Sequence, residues 1–325
     1  MGKKGKRSSK AAGGGDKGKV SAGRARRERT AAMNEIEASI EALAQKSEEE
    51  LKDVDVFCPL AAREDCVICF LPMPSDERDI VYASCCGKRV CTGCMVSHAS
   101  AINGPGSWQH NASVSYSCPF CRAPDEMDIK EAYKDKPPPN NSYIKRLQSR
   151  VEKINDPEAM VHLAHSYEDG EDGLEKDDIT SLRLALKAAE AGEVSAIRYL
   201  AQDCFSGKRI KKNVDRARKL STAAAKQGDH MSHYLLGISY FSEREGKIAK
   251  DENMNPTTIL MARHFAHAAK GGNQDATKTY QLLRYVGIVQ KDDYDEVEQA
   301  FSKTKTLEWS EERGYAEKVK NVLHG

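Results

Sequence analysis

The sequence predicts a mostly α-helical protein: a disordered basic N-terminus, a small α+β module stapled by two metal sites, and an α-solenoid of helix-turn-helix units. Three observations carry this expectation. Nine of the ten cysteines lie between residues 58 and 125. A run of three prolines, Pro137 to Pro139, follows them. Beyond the prolines an alanine-rich pattern returns after 36 residues and again after 44. A chain of 325 residues accommodates two modest domains plus tails.

The N-terminal residues 1–30 hold eleven Lys or Arg against Asp16 and Glu28, so the net charge of +1 conceals a basic tail on a mildly acidic remainder. Almost no large apolar residue occurs there. Such a segment buries too little surface to offset its ordering entropy, and disorder is expected. The cluster Arg24 to Arg29 suits either a solvated tail or a nuclear-import or nucleic-acid patch. Residues 31–57 change character: Ile36, Ile40, Leu43 and Leu51 recur near helical spacing, which predicts an amphipathic helix packed on the module that follows, with pairing to another chain as the alternative.

No apolar run approaches the roughly 18 to 20 residues needed to cross a bilayer. The first residues lack the apolar stretch of a secretory signal. Lys6 stands where a myristoylation motif needs Ser or Thr. No membrane partner is expected, and the compartment implied is intracellular, cytoplasmic or nuclear. The sequons at Asn111 and Asn140 are then inert. In a reducing compartment, clustered cysteines point to metal more than to disulfides.

Residues 58–130 form the cysteine-rich module. Three Cys-x2-Cys pairs occur, Cys66/Cys69, Cys91/Cys94 and Cys118/Cys121, with the doublet Cys85-Cys86 before the second. Eight thiols suit two closed tetrahedral Zn²⁺ sites, two zinc ions per chain. A two-residue spacer lets both sulfurs of one turn reach a metal at about 2.3 Å. A redox Cys-x-x-Cys needs neither three copies nor this setting, and thiolate softness disfavours Mg²⁺ and Ca²⁺. An iron–sulfur cluster is the remaining alternative. Closed sites leave no position for a catalytic water, so the metals are structural.

The segments "CVICF", "SCCGKRVCTGC" and "CPFCR" resemble a RING finger. The resemblance implies interleaved pairs: Cys66, Cys69, Cys91 and Cys94 at site 1, and Cys85, Cys86, Cys118 and Cys121 at site 2. Many members carry a histidine ligand after Cys-Gly; here Lys88 follows Gly87, and a protonated lysine has no lone pair to give. Cys85 then completes an all-cysteine site, with His98 and His110 as rival ligands. Lys88 and Arg89 are placed by sequence to offset the net −2 charge of four thiolates around Zn²⁺.

The resemblance also implies a function. RING fingers bind a ubiquitin-conjugating enzyme and hold its charged ubiquitin ready for transfer. Ile68 and Pro119 match the family's apolar contacts to that enzyme. Arg122 matches the arginine that bridges conjugating enzyme and ubiquitin. A third contact is expected between Met95 and Ser117, around Val96 and Trp108, on a short or interrupted helix.

Residues 131–145, with Lys134-Asp-Lys-Pro137, read as a stiff linker, because prolines cannot continue a helix. Residues 146–325 then read as repeats. "AAEAGEVSA" (188–196), "AAKQGDHMS" (224–232) and "AAKGGNQDA" (268–276) align, with an eight-residue insertion in the third unit. Ala159, Leu163, Ala164 and Tyr167 occupy the phase of Ala196, Leu200, Ala201 and Cys204. Small residues let helices approach closely, and Gly192, Gly228 and Gly272 are placed to end each second helix in a left-handed conformation. The pattern resembles Sel-one-like repeats, relatives of the tetratricopeptide family, whose concave face implies a protein partner. The charged segment 308–320 suits a polar end cap. His162, His165, Cys204, His233, His264 and His267 read as scattered packing or surface residues. The combined expectation is a RING-type ubiquitin transferase with no covalent intermediate on this chain, its repeats recruiting a protein substrate. The alternatives are a zinc-containing scaffold, and an adaptor that binds nucleic acid through residues 1–30.

Overall fold

The structure, a computed structural model, describes residues 16–103, 116–125, 141–243 and 255–308. Helix α1 (Asp16–Glu50) leads into the hairpin strands β1 (Ile80–Ala83) and β2 (Lys88–Cys91) and helix α2 (Thr92–Asn103). Strands β3 (Tyr116–Ser117) and β4 (Pro124–Asp125) close the cysteine-rich module. Among the described residues nine helices follow: α3 (Asn141–Ile154), α4 (Pro157–Asp169), α5 (Asp178–Glu190), α6 (Val194–Ser206), α7 (Val214–Ala225), α8 (His230–Glu243), α9 (Pro256–Lys270), α10 (Gln274–Tyr285) and α11 (Lys291–Glu308).

The repeat pattern becomes four antiparallel pairs, α4/α5, α6/α7, α8/α9 and α10/α11. Helix starts follow from local chemistry. Asp156, Asp177 and Asn213 accept hydrogen bonds from the first free amides of α4, α5 and α7. Pro157 and Pro256 occupy first-turn positions where no amide donor is needed. Between layers, Ala185, Ala188, Ala196, Ala201 and Ala224 are fully buried around Leu182, Leu200 and Leu220. Gly192, Gly228 and Gly272 have φ of 90°, 88° and 99°, the left-handed region expected for them. The insertion of the third unit and the charged end cap fall on residues 244–254 and 309–325, outside the described residues.

Three expectations are corrected. Helix α1 starts at Asp16, so the second half of the tail expected to be disordered is helical. Ala, Arg and Glu are good helix formers, and a helix anchored from Met33 to Ser47 extends at low cost per added residue. Second, α1 packs on α5 and α7, not on the cysteine-rich module. Ile36, Ile40, Leu43 and Ala44 join the core formed by Leu182, Leu200 and Leu220. Third, α3 begins at Asn141, inside the stretch 131–145 expected to be linker. Ile144 and Leu147 give it a buried face against Ala159 and Leu163.

Candidate metal centre

The cysteine doublet sits at the tip of the β1/β2 hairpin. The strands pair with Val81 opposite Val90 and Ala83 opposite Lys88. The amides of Cys86 and Gly87 both reach the Ala83 carbonyl, at 3.1 and 2.7 Å, and Gly87 takes φ +71°. The turn therefore carries both sulfurs of the doublet. Cys91 ends β2 and Cys94 lies in the first turn of α2.

The first and last pairs form two equivalent turns. In one, the Phe70 amide donates to the Cys66 carbonyl at 2.8 Å and the Cys66 amide to Leu71 at 2.8 Å. In the other, Arg122 donates to Cys118 at 3.0 Å and Cys118 to Ala123 at 2.9 Å. The residue just after each pair, Phe70 or Arg122, has φ 58°. A non-glycine residue is held there at a cost of order 1 kcal/mol, which marks both turns as imposed by the surrounding geometry.

These turns bring eight sulfurs together in two groups: Cys66, Cys69, Cys91 and Cys94, and Cys85, Cys86, Cys118 and Cys121. Within each group the sulfurs all lie within 4.8 Å of one another. The Cys69 and Cys91 sulfurs are 3.9 Å apart, and those of Cys86 and Cys118 are 3.7 Å apart. Four sulfurs at 2.3 Å around a tetrahedral ion would be separated by about 3.8 Å, whereas a disulfide requires about 2.05 Å. The grouping interleaves along the chain. His98 is not in either group; its Nε2 lies 2.9 Å from the Ser117 carbonyl. His110 and Trp108 lie outside the described residues. Val96 is half-buried on α2.

The charge chemistry fits a cation. Burial pushes the Cys91 thiol up to about 11, and raises Cys85, Cys86 and Cys94 as well. Burial also opposes ionisation of Cys66, but the amides of Cys69, Cys91 and Ile68 aim at its sulfur and bring it down to about 7. Cys118 is lowered in the same way by the amides of Cys121 and Phe120, again against burial. Each group thus favours ionisation at one thiol, Cys66 or Cys118, and opposes it by burial at two others, Cys91 and Cys94 or Cys85 and Cys86. A soft tetrahedral donor set of this kind is consistent with zinc. Arg89, next to Lys88 at the start of β2, is engaged by carboxylates. Its guanidinium sits 3.2 Å from Glu158 and 3.6 Å from Glu64.

Around the cysteines, Val67, Ile68, Phe70 and Phe120 are exposed, Phe70 by 77%. Arg122 is exposed beside them in sequence, and Pro119 is half-buried. Phe70 and Phe120 escaped the sequence reading; the available signal was an apolar residue in or just after a turn too tight to bury it.

Three of the histidines expected to be scattered packing or surface residues instead form a second cluster. His233, His264 and His267 gather round Phe57, with centroids 5.9, 4.7 and 5.1 Å from its ring. The Nδ1 atoms of His233 and His264 are 3.0 Å apart, and Arg263 lies over Phe57 at 3.7 Å. At the N-terminus, residues 24–30 of α1 are exposed; Arg24 pairs with Glu28 and Arg29 with Asp178. Among the described residues no helix is long and apolar enough to cross a membrane.

Residues 157–193 and 194–229 match the Sel1 repeat family. They coincide with the α4/α5 and α6/α7 pairs, and Sel1 repeats indicate a protein–protein interaction scaffold in that part of the chain. Among solved structures, the chain is similar to a Sel1 repeat protein from Oxalobacter formigenes at 29% identity. The match covers 42% of this chain and 96% of that one, with a TM-score of 0.34. No curated protein matches the chain.

Proposed function

We propose that the chain is a RING-type ubiquitin ligase whose two four-cysteine groups each hold a structural Zn²⁺. The observation that carries this reading is the interleaving of the two sulfur groups, which sets Ile68 and Arg122 on matching turns at exposed positions. In this reading Ile68 and Pro119 receive the conjugating enzyme, and Phe70 and Phe120 widen that apolar surface. Arg122 donates its planar fork to carbonyls of conjugating enzyme and ubiquitin together. The zinc ions shape the turns; transfer passes directly from conjugating enzyme to a lysine of the substrate.

The test is autoubiquitination by the full chain across a panel of conjugating enzymes. Arg122→Ala is expected to slow transfer about ten- to hundred-fold, the scale of lost charge-assisted hydrogen bonds, with zinc content unchanged. If Arg122→Ala transfers at the normal rate while Cys118→Ser abolishes transfer, the bridging role is wrong. If no conjugating enzyme supports transfer, the chain is a scaffold with a purely structural finger.

A further inference from the structure

The first helices α4, α6 and α8 take contacts from the chain's own residues 57–89, as do the turns after α7 and α9 and, through Phe57 and Ser75, the second helices α9 and α11. The β1/β2 hairpin has two faces, because successive strand residues point to opposite sides. Val81 and Val90 turn towards Cys66, Met73 and Met95 in the finger's core. Tyr82 and its cross-strand partner Arg89 turn towards the repeats. Tyr82 is 7% exposed, donates to Asp156 at 2.8 Å, accepts from Arg150 at 2.8 Å and stacks on His162 at 4.7 Å. Arg89 reaches Glu158. One helix pair further on, Glu77 pairs with Arg198, which also contacts Asp229 at 3.3 Å.

The turn glycines record the same contact. Gly192, Gly228 and Gly272 hold equivalent positions and share a left-handed backbone. A Cβ on Gly192 would meet nothing within 4 Å. On Gly228 it would meet the Ala61 amide nitrogen at 2.3 Å, and on Gly272 the Ser75 hydroxyl at 2.4 Å. Ser75 is 5% exposed and accepts from Lys305 at 3.1 Å. The second and third turns are covered by the chain's own N-terminal part, and the first is open.

We propose that the first-helix face is a cradle for the chain's own finger, not a free groove. The repeats hold the metal module in one orientation with Ile68, Phe70 and Arg122 left exposed. A protein partner of the repeats must then use another surface or displace residues 57–89. This inference rests on packing and does not depend on the ligase reading.

The test uses the zinc-loaded full chain and amide hydrogen exchange of peptides spanning residues 55–64 and 72–84. Gly192→Ala, Gly228→Ala and Gly272→Ala impose the same backbone strain, so the first is the control for the others. Gly228→Ala is expected to speed exchange in 55–64 by about tenfold, and Gly272→Ala to do so in 72–84, with zinc content retained. Gly192→Ala is expected to match the parent in both. Equal effects from all three, or none from any, overturn the cradle. A gentler pair covers the case in which Gly228→Ala or Gly272→Ala fails to fold. Glu77→Arg sets like charges against each other at Arg198, whereas Arg78→Lys changes the neighbouring residue and keeps its positive charge beside Asp76. The cradle requires loosening of 72–84 by the first substitution and not by the second; the reverse, or no difference, overturns it.

Discussion

The cysteine finger and the helical repeats are stabilised by opposite means. The finger's apolar core is Cys66, Met73, Val90, Cys91 and Met95, and two of those five are metal ligands in the proposed sites. The repeats instead bury alanine seams and leucines in two larger clusters, one shared with α1 from Ile36 to Ala224 and one from Met261 to Val297. A small module cannot bury enough apolar surface to hold its loops, and in the proposed sites metal cross-links between distant segments do that work. A stacked ladder adds one buried layer with each pair and needs no ion. Sequence distance shows the same contrast: the finger joins Cys85 to Cys121, whereas each repeat contacts mainly its neighbour.

Metal removal should break the comparison open with the largest effect. Structural zinc is worth on the order of 10 kcal/mol. With a strong chelator, amides of residues 66–94 should lose protection while the far-ultraviolet signal of the helices largely persists. A finger that keeps its protection without metal would mean that packing holds it after all.

Leu220→Ala probes the other side. Leu220 is 0% exposed in the alanine-lined core, and truncation should cost roughly 2 to 5 kcal/mol of repeat stability. The denaturation midpoint of the helical signal should fall, with zinc content unchanged. A matching loss of zinc would show that finger and repeats unfold as one unit.

Acid should produce a smaller, graded effect on the repeats. Burial, reinforced by His264, His267 and His230 nearby, holds His233 down to about 3. Burial with His267 and Arg263 does the same for His264, and burial holds His162 at about 4. The ordinary value is 6.5, so the unfolded chain takes up protons that the folded chain refuses. Their contribution is fully present above about pH 6.5 and is lost as pH falls towards 3 or 4. At pH 5 the cost is about 2 kcal/mol for each of His233 and His264. His162→Phe keeps the ring against Tyr82 and removes one titration; the dependence of thermal stability on pH between 7 and 5 should flatten. An unchanged slope would assign the acid sensitivity to other groups.

Much of this was legible because the signals are local. Cysteine spacing within turns, helix caps such as Asp156 and Asn213, and the left-handed glycines each depend on a few neighbouring residues. The doublet Cys85-Cys86 was readable as a pair of ligands but not as a hairpin tip, since that role depends on Ile80 pairing with Cys91. Phe57 and its three histidines are separated by as many as 210 residues in the chain, and no periodicity joins them. The basic segment 16–30 was misread for a related reason: its composition favours disorder, while its helix is continued from a packed face further along.

The amino-acid order by itself determined that thiols would group in fours, that the second half would stack as alanine-seamed helix pairs, and where each pair would turn. These are consequences of ligand chemistry and of a period in the chain. Only the tertiary structure decided what the two halves do to each other. Tyr82, Glu77, Ser75 and Phe57 meet the repeats through long-range contacts, and α1 crosses to the second helices α5 and α7. Those choices follow from shape and charge across surfaces that exist only once both halves have folded.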